Sequence, residues 1–355
     1  MFKLVKRVNI SKRKKMSIRI IAILLALVTA SIFILILGHN PFKVYSTMIS
    51  GALGSAYRRK DTLTIAIPLI ITSLGIMVAF KMKFWNIGAE GQILMGAFTA
   101  SFVALNFSHL PKPIVIILMI IAGIIGGGLW ALIPALLKVN FDTNETIITL
   151  MLNYIAIKWI TYLQFGPWKD PNSLGFPEIA PFEKSALLPK VFGIHIGWII
   201  AIVLAIVLYI FLNHSKKGYE ISVVGESVDT AKYAGMNVKK IIVMSLFISG
   251  GICGLVGMIQ ASGVNRTLSM DVSSGYGYTA IITTWLSGLK TSTIIPVSLL
   301  FATMIKGGSY IQTAYQIPHS VSDVLQSMIL FFVLGSELFI NYKIVLKKSL
   351  VKEEC

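Results

Sequence analysis

The chain has 355 residues, of which 55% are hydrophobic and only 13% are charged. Soluble domains carry roughly 25% charged residues, and a mean hydropathy of +0.78 requires apolar residues along the whole chain. This composition excludes a disordered protein, a disulfide-rich scaffold and an ordinary cytosolic enzyme. The formal net charge of +17 does not indicate nucleic-acid binding, because eight of the 32 basic residues fall in the first nineteen positions. Most of the others lie between apolar runs, as they do in the cytoplasmic loops of membrane proteins.

The sequence contains none of the common motifs for nucleotide, metal or acyl chemistry. Its two cysteines, Cys253 and Cys355, provide neither a disulfide framework nor a four-ligand metal site. No Gly-Lys dipeptide occurs, so there is no P-loop to hold nucleotide phosphates. We therefore predict no catalytic residue, no metal and no cofactor, and any ATP that drives this protein has to be bound by another chain.

Runs of about 20 apolar residues, enough to cross the hydrocarbon of a bilayer, recur along the chain. A weaker stretch, 275–308, is interrupted at 288–290 and at Pro296, and it would supply either two spans or two half-helices. We expect an all-α polytopic membrane protein with nine to ten transmembrane or half-membrane helices. The clear runs are Ile20–Gly38, Thr62–Phe80, Gly91–Phe107, Pro113–Leu137, Thr143–Phe165, Ile196–Leu212, Lys240–Ser262 and Pro318–Ile340.

The distribution of basic residues predicts the orientation. With both termini in the cytoplasm, the cytoplasmic segments contain 21 Lys and Arg residues and the external segments contain nine, in agreement with the positive-inside rule. The first apolar run is longer than the core of a signal peptide, so we expect it to be retained. The predicted organisation is a basic cytoplasmic segment 1–19, a transmembrane domain 20–341 with a cytoplasmic loop 213–240, and a cytoplasmic tail 342–355.

Polar residues enter the start of one apolar run at Phe-Trp-Asn-Ile-Gly-Ala-Glu-Gly-Gln, residues 84–92. A charge at the centre of a bilayer costs roughly 2.5–3.5 kcal/mol or more, and the neighbouring glycines permit an unwound backbone. Two interpretations stay open. Asn86, Glu90 and Gln92 either line an aqueous path at a broken helix, or Glu90 is an ordinary first-turn residue favoured by the helix dipole.

A second polar group opens the run that ends at Phe165. Asn144 and Glu145 either extend the same path or form a capping arrangement at a helix start. Asn153 lies on the same helix face as Thr149, and it either lines the path or forms a hydrogen bond to a neighbouring helix. The predicted translocation-path residues are therefore Asn86, Glu90, Gln92, Asn144, Glu145 and Asn153.

The hydrophilic loop Lys216–Lys240 has the pattern of a short capped helix. Ser227 or Asp229 can cap its start, the helix can run through Ala234, and Gly235 can end it in the left-handed conformation. A short ordered helix between two spans suits docking to a cytoplasmic partner, whereas a solvated connector would need no capping residues. We therefore favour a docking element.

At these residues the chain resembles permease subunits of the ATP-binding cassette importers for ribose-type sugars and branched-chain amino acids. It resembles most closely the branch that imports nucleosides with a basic-membrane-protein-type binding lipoprotein. The motifs lie within residues 62–310. They are FWNIGAEGQ (84–92), NETIITLMLNYIA (144–156), VGESVDTAKYAGM (224–236), SGGICGLVG (249–257) and TAIITTWLSG (279–288).

This resemblance implies a bacterial plasma-membrane permease that forms a translocation path for nucleosides with a second, related permease subunit. A cytoplasmic ATP-binding subunit and an extracytoplasmic substrate-binding lipoprotein are the other implied partners. The short helix would then be the coupling element. The implied ATPase-coupling residues are Glu226, Thr230, Ala231, Tyr233 and Gly235. The chain departs from the usual pattern at 227–228, where Asn-Pro is common, and at 287–290.

Three alternatives remain at this stage. A permease of the same importer class could carry a simple sugar. An ion-coupled secondary transporter would need acids near the bilayer midplane, but all four acidic candidates lie near the ends of spans. These are Glu90, Glu145, Asp323 and Glu337. A membrane scaffold would have no reason for polar, glycine-rich breaks in its helices.

Overall fold

The computed structural model describes residues 2–6, 11–173 and 175–346. Position 1 and positions 7–10 of the predicted N-terminal segment, and 347–355 of the predicted tail, lie outside these ranges. The chain divides into two compact units: one combines 1–59 with 303–355, and the other comprises 60–302. The second unit contains all the motifs on which the family resemblance rests.

Thirteen helices form most of the described chain. In chain order they are α1 (Lys12–Ile36), α2 (Pro41–Leu53), α3 (Ala56–Lys81), α4 (Ala89–Asn106), α5 (Lys112–Phe141), α6 (Glu145–Phe165), α7 (Gly197–His214), α8 (Lys216–Glu226), α9 (Val228–Tyr233), α10 (Val238–Gln260), α11 (Tyr276–Leu286), α12 (Thr291–Tyr315) and α13 (His319–Asn341). A 3-10 turn covers Lys184–Ala186, and a π-helical turn, Ala261–Asn265, follows α10.

The strands are few and short. They are β1 (Phe2–Lys6), β2 (Lys190–Val191), β3 (Ile194–His195) and β4 (Tyr342–Leu346). Strand β1 pairs with β4, and β2 pairs with β3, both antiparallel. The β2–β3 hairpin belongs to the proline-rich connection between α6 and α7.

Six of the described helices are long and apolar enough to cross a membrane. They are α3, α5, α6, α7, α10 with its π-helical extension, and α12. A seventh span results if the bent pair Ile20–Ile36 and Pro41–Leu53, which turns by 110°, counts as one. The prediction of a helical, polytopic membrane protein is therefore confirmed, while the count of nine to ten elements stays a prediction.

The stretch 275–308 forms neither two spans nor two half-helices, because it contains one short helix, α11, and most of one long helix, α12. Helix α11 has 11 residues, about 16 Å at 1.5 Å per residue, which covers half of a bilayer. Helix α12 has 25 residues and continues through Pro296, so the interruption expected at that proline was wrong. Transmembrane helices accommodate proline because neighbouring groups satisfy the freed backbone. The break expected at 288–290 is present, where Gly288 and Leu289 both have positive φ.

Helices α4, α5 and α10 pack closely through small residues. A Cβ atom added at Gly96 of α4 would collide with the backbone of Gly254 in α10, and one at Gly127 of α5 would collide with that of Gly250. Such small-residue contacts replace the hydrophobic driving force that helices lack in lipid. These contacts join α4, α5 and α10 into one three-helix core.

Candidate translocation site and coupling element

Asn86 organises the irregular segment that leads from α3 into α4. Its side chain accepts a hydrogen bond from the Gly88 backbone N–H at 3.0 Å and exchanges two bonds, of 3.0 and 3.2 Å, with the Gln92 amide. Its Nδ2 also donates to Ser249 Oγ of α10 at 3.3 Å. Both amide side chains are buried, so these bonds satisfy groups that have no access to water.

Glu90 connects α4 to the half-helix α11. Its two carboxylate oxygens accept the backbone N–H groups of Gly275 at 2.9 Å and Gly277 at 2.7 Å. The side chain is only 4% exposed. The first N–H groups of a helix have no partner within the helix, and the positive end of its dipole favours an anion. Glu90 therefore holds the start of α11 against the start of α4.

Asn153 of α6 forms hydrogen bonds with the backbone at the start of α4. Its Oδ1 accepts the Gly91 backbone N–H at 2.8 Å, and its Nδ2 donates to the Ile87 carbonyl at 2.9 Å. The same Nδ2 donates to Tyr278 Oη of α11 at 3.3 Å. Asn153 thus links α6, α4 and α11, which agrees with the hydrogen-bonding interpretation of this residue.

Asn144 and Glu145 lie at the start of α6 and take other partners. Asn144 caps α6, because its Oδ1 accepts the N–H groups of Thr146 and Ile147 at 3.0 and 3.3 Å. Glu145 lies 3.3 Å from the Lys138 ammonium, which also contacts Asp142 at 2.9 Å. The hydrogen bond from Lys138 lowers the pKa of the Asp142 carboxyl. The capping arrangement expected for Asn144 is present.

The structure therefore brings together four of the six predicted path residues. Asn86, Glu90, Gln92 and Asn153 belong to one buried, hydrogen-bonded network at the junction of α4, α6, α10 and α11, which we call the junction network. Within this chain their polar atoms are bonded to protein, and their role in a path stays a prediction.

Sequence reasoning missed several partners in the junction network. Ser249, Gly277 and Tyr278 lie far from residues 84–92 in the chain. Ser249 opens the SGGICGLVG motif, and the other two immediately precede TAIITTWLSG. The only available signal was therefore the family resemblance of these neighbouring segments.

The loop between α7 and α10 contains the predicted capped helix. Ser227 Oγ accepts the Thr230 N–H at 3.2 Å and caps α9. Gly235 has a φ of +73°. The Met236 N–H donates to the Ala231 carbonyl and the Gly235 N–H to the Lys232 carbonyl, both at 3.0 Å, which is the Schellman arrangement. The helix ends at Tyr233, one residue earlier than predicted.

Helix α8, which the sequence analysis did not predict, connects this element to the membrane core. Gly225 lies against the Lys81 carbonyl so closely that a Cβ atom would collide with it. Lys83 Nζ donates to the Glu226 carbonyl at 3.5 Å. Both contacts fall on the segment that leads directly to Asn86, so α8 and α9 are attached to the chain that carries the junction network.

The five predicted coupling residues differ in exposure. Ala231, within α9, is buried, whereas Glu226, Thr230 and Gly235 are exposed and the Tyr233 side chain is 98% exposed. Tyrosine is one of the residue types enriched among the residues that contribute most to binding at protein interfaces.

Comparison with known proteins identifies permeases that are similar in sequence to this chain over nearly its whole length. The glucose ABC transporter permease protein TsgB13 of Haloferax volcanii is 29% identical over 338 residues, 92% of this chain and 88% of the relative. The guanosine ABC transporter permease protein NupP of Bacillus subtilis is 30% identical over 89% of this chain and 92% of its own. The nucleoside ABC transporter permease protein NupB of Lactococcus lactis is 29% identical, over 91% and 92%.

Residues 59–334 match the family described as "Branched-chain amino acid transport system / permease component". The matched range contains most of α3 and all of α4 to α12, and therefore the junction network and the loop with α8 and α9. The family match and the relatives agree with the resemblance expected from the motifs. The chain belongs to this family of transport-system permease components.

Proposed function

We propose that this chain is the permease subunit of an ATP-binding cassette importer that carries nucleosides. The chain is a multi-pass protein of the plasma membrane. The observation that carries the proposal is its similarity, over about nine-tenths of both chains, to permeases named for guanosine and for nucleosides. The exposed, doubly capped helix α9 supports it, because an importer subunit without its own ATP site needs a docking element.

A simple sugar is the second candidate substrate. The glucose permease of Haloferax volcanii is as similar to this chain as the nucleoside permeases are. A nucleoside contains a pentose ring, so similar polar side chains could bind either a sugar or a nucleoside.

The proposed arrangement in the membrane has both termini in the cytoplasm and nine to ten membrane elements. Residues 1–19 and 342–355 are then cytoplasmic, and 20–341 form the permease domain. This orientation is supported by the positive-inside rule, because the cytoplasmic segments then contain 21 basic residues and the external segments contain nine. It also places α8 and α9 on the cytoplasmic side, where an ATPase can reach them.

The proposed partners are a cytoplasmic ATP-binding subunit, a second related permease and an extracytoplasmic substrate-binding lipoprotein. Two differently named guanosine permeases of Bacillus subtilis, NupP and NupQ, are 30% and 29% identical to this chain. Their coexistence in one organism supports a pair of unlike permease subunits. ATP hydrolysis belongs to the partner chain.

In the proposed mechanism, the ATPase moves α9 through Tyr233 and the exposed residues Glu226, Thr230 and Gly235. Helix α8 transmits this movement through its contacts at Gly225 and Glu226 with the end of α3. The segment 81–88 then shifts the junction network, whose members border the path with Asn144 and Glu145. Because Glu90 holds α11 by its N-terminus, α4 and α11 move as one body.

Uptake by the reconstituted complex tests this proposal. Proteoliposomes that contain both permeases and the ATPase, supplied with binding protein, should accumulate guanosine when ATP is enclosed on the ATPase side. Accumulation of glucose instead would favour the sugar importer. Uptake that follows an ion gradient without ATP would contradict the importer proposal altogether.

A further inference from the structure

Helices α3, α7 and α12 enclose two cavities of different character. One, of about 390 Å³, lies where α3 and α7 end and α12 begins. The other, of about 350 Å³, lies farther along the same three helices and against Val191, Phe192 and Ile194 of the β2–β3 hairpin, and it is lined only by hydrophobic residues. Both cavities belong to the unit 60–302. We call the two cavities and the exposed α7 surface between them the groove; its one end is polar and its other end is apolar.

The polar end carries positive charge without a matching acid. Lys81, Lys290 and His214 line it, and none of the described residues lining this cavity is acidic. Lys81 is partly buried, and neither lysine forms an ion pair with any residue of the described ranges. The positive charges of Lys81 and Lys290 repel each other. An anion bound between the two ammonium groups would offset this repulsion.

The apolar end lies at the depth that an acyl chain would reach. Ile70 of α3 and Ile202 of α7 line the apolar cavity. Each is eleven residues from a residue of the polar end, Lys81 and Asn213, which is about 16 Å along a helix. Half of the hydrocarbon core of a bilayer is about 15 Å thick. The near edge of the apolar cavity therefore lies about one leaflet from the polar end, and its far edge, at Leu63 and Trp198, lies about 22–27 Å from that end.

The face of α7 between the cavities is exposed and largely apolar. Ile202, Ile206 and Tyr209 follow one another at helical spacing and are 48%, 56% and 50% exposed. This stripe ends at Asn213 and His214, beside the two lysines. A chain lying along the stripe would connect the apolar cavity to the basic one.

We propose that the groove between α3, α7 and α12 binds one anionic glycerophospholipid. Its phosphate lies between Lys81 and Lys290, and an acyl chain runs along α7 to the near edge of the apolar cavity. A free phosphate would leave the apolar cavity and the stripe unused. The lipid belongs to the leaflet next to the α8–α9 loop, because α8 begins directly after His214.

Native mass spectrometry of the full-length chain in detergent tests the proposal. The probes are dioleoyl phosphatidylglycerol, which is anionic, and dioleoyl phosphatidylcholine, which is zwitterionic. The wild type should retain phosphatidylglycerol preferentially. Replacing Lys81→Gln together with Lys290→Gln should lower its affinity roughly 25-fold, since each lysine near an anionic lipid contributes about fivefold.

The matched control replaces two other lysines from the same side of the membrane, Lys216→Gln and Lys239→Gln. It removes the same charge outside the groove and should leave retention unchanged. An equal loss in both double variants would mean a general charge effect and would overturn the proposal. So would unchanged retention in the groove variant. Lys290→Gln alone, at an exposed position, provides the same comparison if the double variant is poorly folded.

A second variant tests the apolar end. Ile202→Trp, at a half-exposed position, should fill the apolar cavity and shift the preference toward phosphatidylglycerol with shorter acyl chains. No change in chain-length preference would contradict the placement of the acyl chain. Displacement of the lipid by an excess of inorganic phosphate would identify a simple anion site and overturn the lipid proposal.

Discussion

The Glu90 carboxylate accepts the Gly277 backbone N–H at 2.7 Å, across 187 positions of the chain. This bond and its companion to Gly275 attach a half-membrane helix to the first turn of α4. In the proposed mechanism, we therefore expect any movement of segment 81–88 that reaches α4 to be passed on to α11. The contact is the central mechanical joint of the proposed permease.

Replacing Glu90→Gln should weaken this joint. The amide keeps one acceptor oxygen, but it loses the charge and turns an N–H₂ group toward a backbone donor. Hydrogen bonds to charged groups contribute about 1.5–3 kcal/mol, so we expect a loss of stability of about that size and reduced uptake. Thermal unfolding in detergent provides the measurement. Asp271→Asn, an exposed acid shortly before α11, is the control and should unfold as the wild type does.

Gly277→Ala tests the same joint from the other side. A Cβ atom at this position would lie 2.6 Å from the Glu90 Oε2 atom, so the two helices would have to separate. Overpacking of this kind costs about 1–3 kcal/mol. Gly335→Ala is the matched control, since a Cβ atom there meets nothing within 4 Å. Equal melting temperatures for the two variants would contradict the close contact.

Local features were predictable from the sequence, and long-range ones were not. The capped helix α9 depends on Ser227 and Gly235, which act within one turn of the chain, so their spacing was sufficient. The bond between Glu90 and Gly277 depends on how distant helices pack, which spacing does not reveal. The interruption predicted at Pro296 is absent, because membrane helices accept proline where soluble helices break.

The path assignment predicts how engineered thiols react. In a background with Cys253→Ala and Cys355→Ser, Asn144→Cys should react readily with a water-soluble thiol reagent, since Asn144 is exposed at a helix start. Gln92→Cys, which is buried, should react only while the complex turns over ATP and opens the junction network. The rate of labelling with and without ATP measures this. A thiol at position 92 that stays protected during turnover would remove Gln92 from the path.

His195 predicts a dependence of stability on pH. It lies outside the spans, and burial, followed by the charge of Lys190, lowers its pKa to about 4. The unfolded chain takes up this proton near pH 6.5, whereas the folded chain resists it, so stability falls as pH drops from about 6.5 to 4. The loss is at most roughly 3 kcal/mol. Melting temperatures across this range should decline less in His195→Phe; an identical decline would assign the effect to other groups.

The most direct test of the account is ATP hydrolysis stimulated by substrate and binding protein in the reconstituted complex. Tyr233 is 98% exposed on α9 and Tyr219 is 64% exposed on α8, so the two tyrosines form a matched pair on the same loop. If α9 couples the ATPase to the membrane core, Tyr233→Ala should lose most of the stimulation while Tyr219→Ala keeps it. Full stimulation in Tyr233→Ala, at normal levels of assembled complex, would contradict the account.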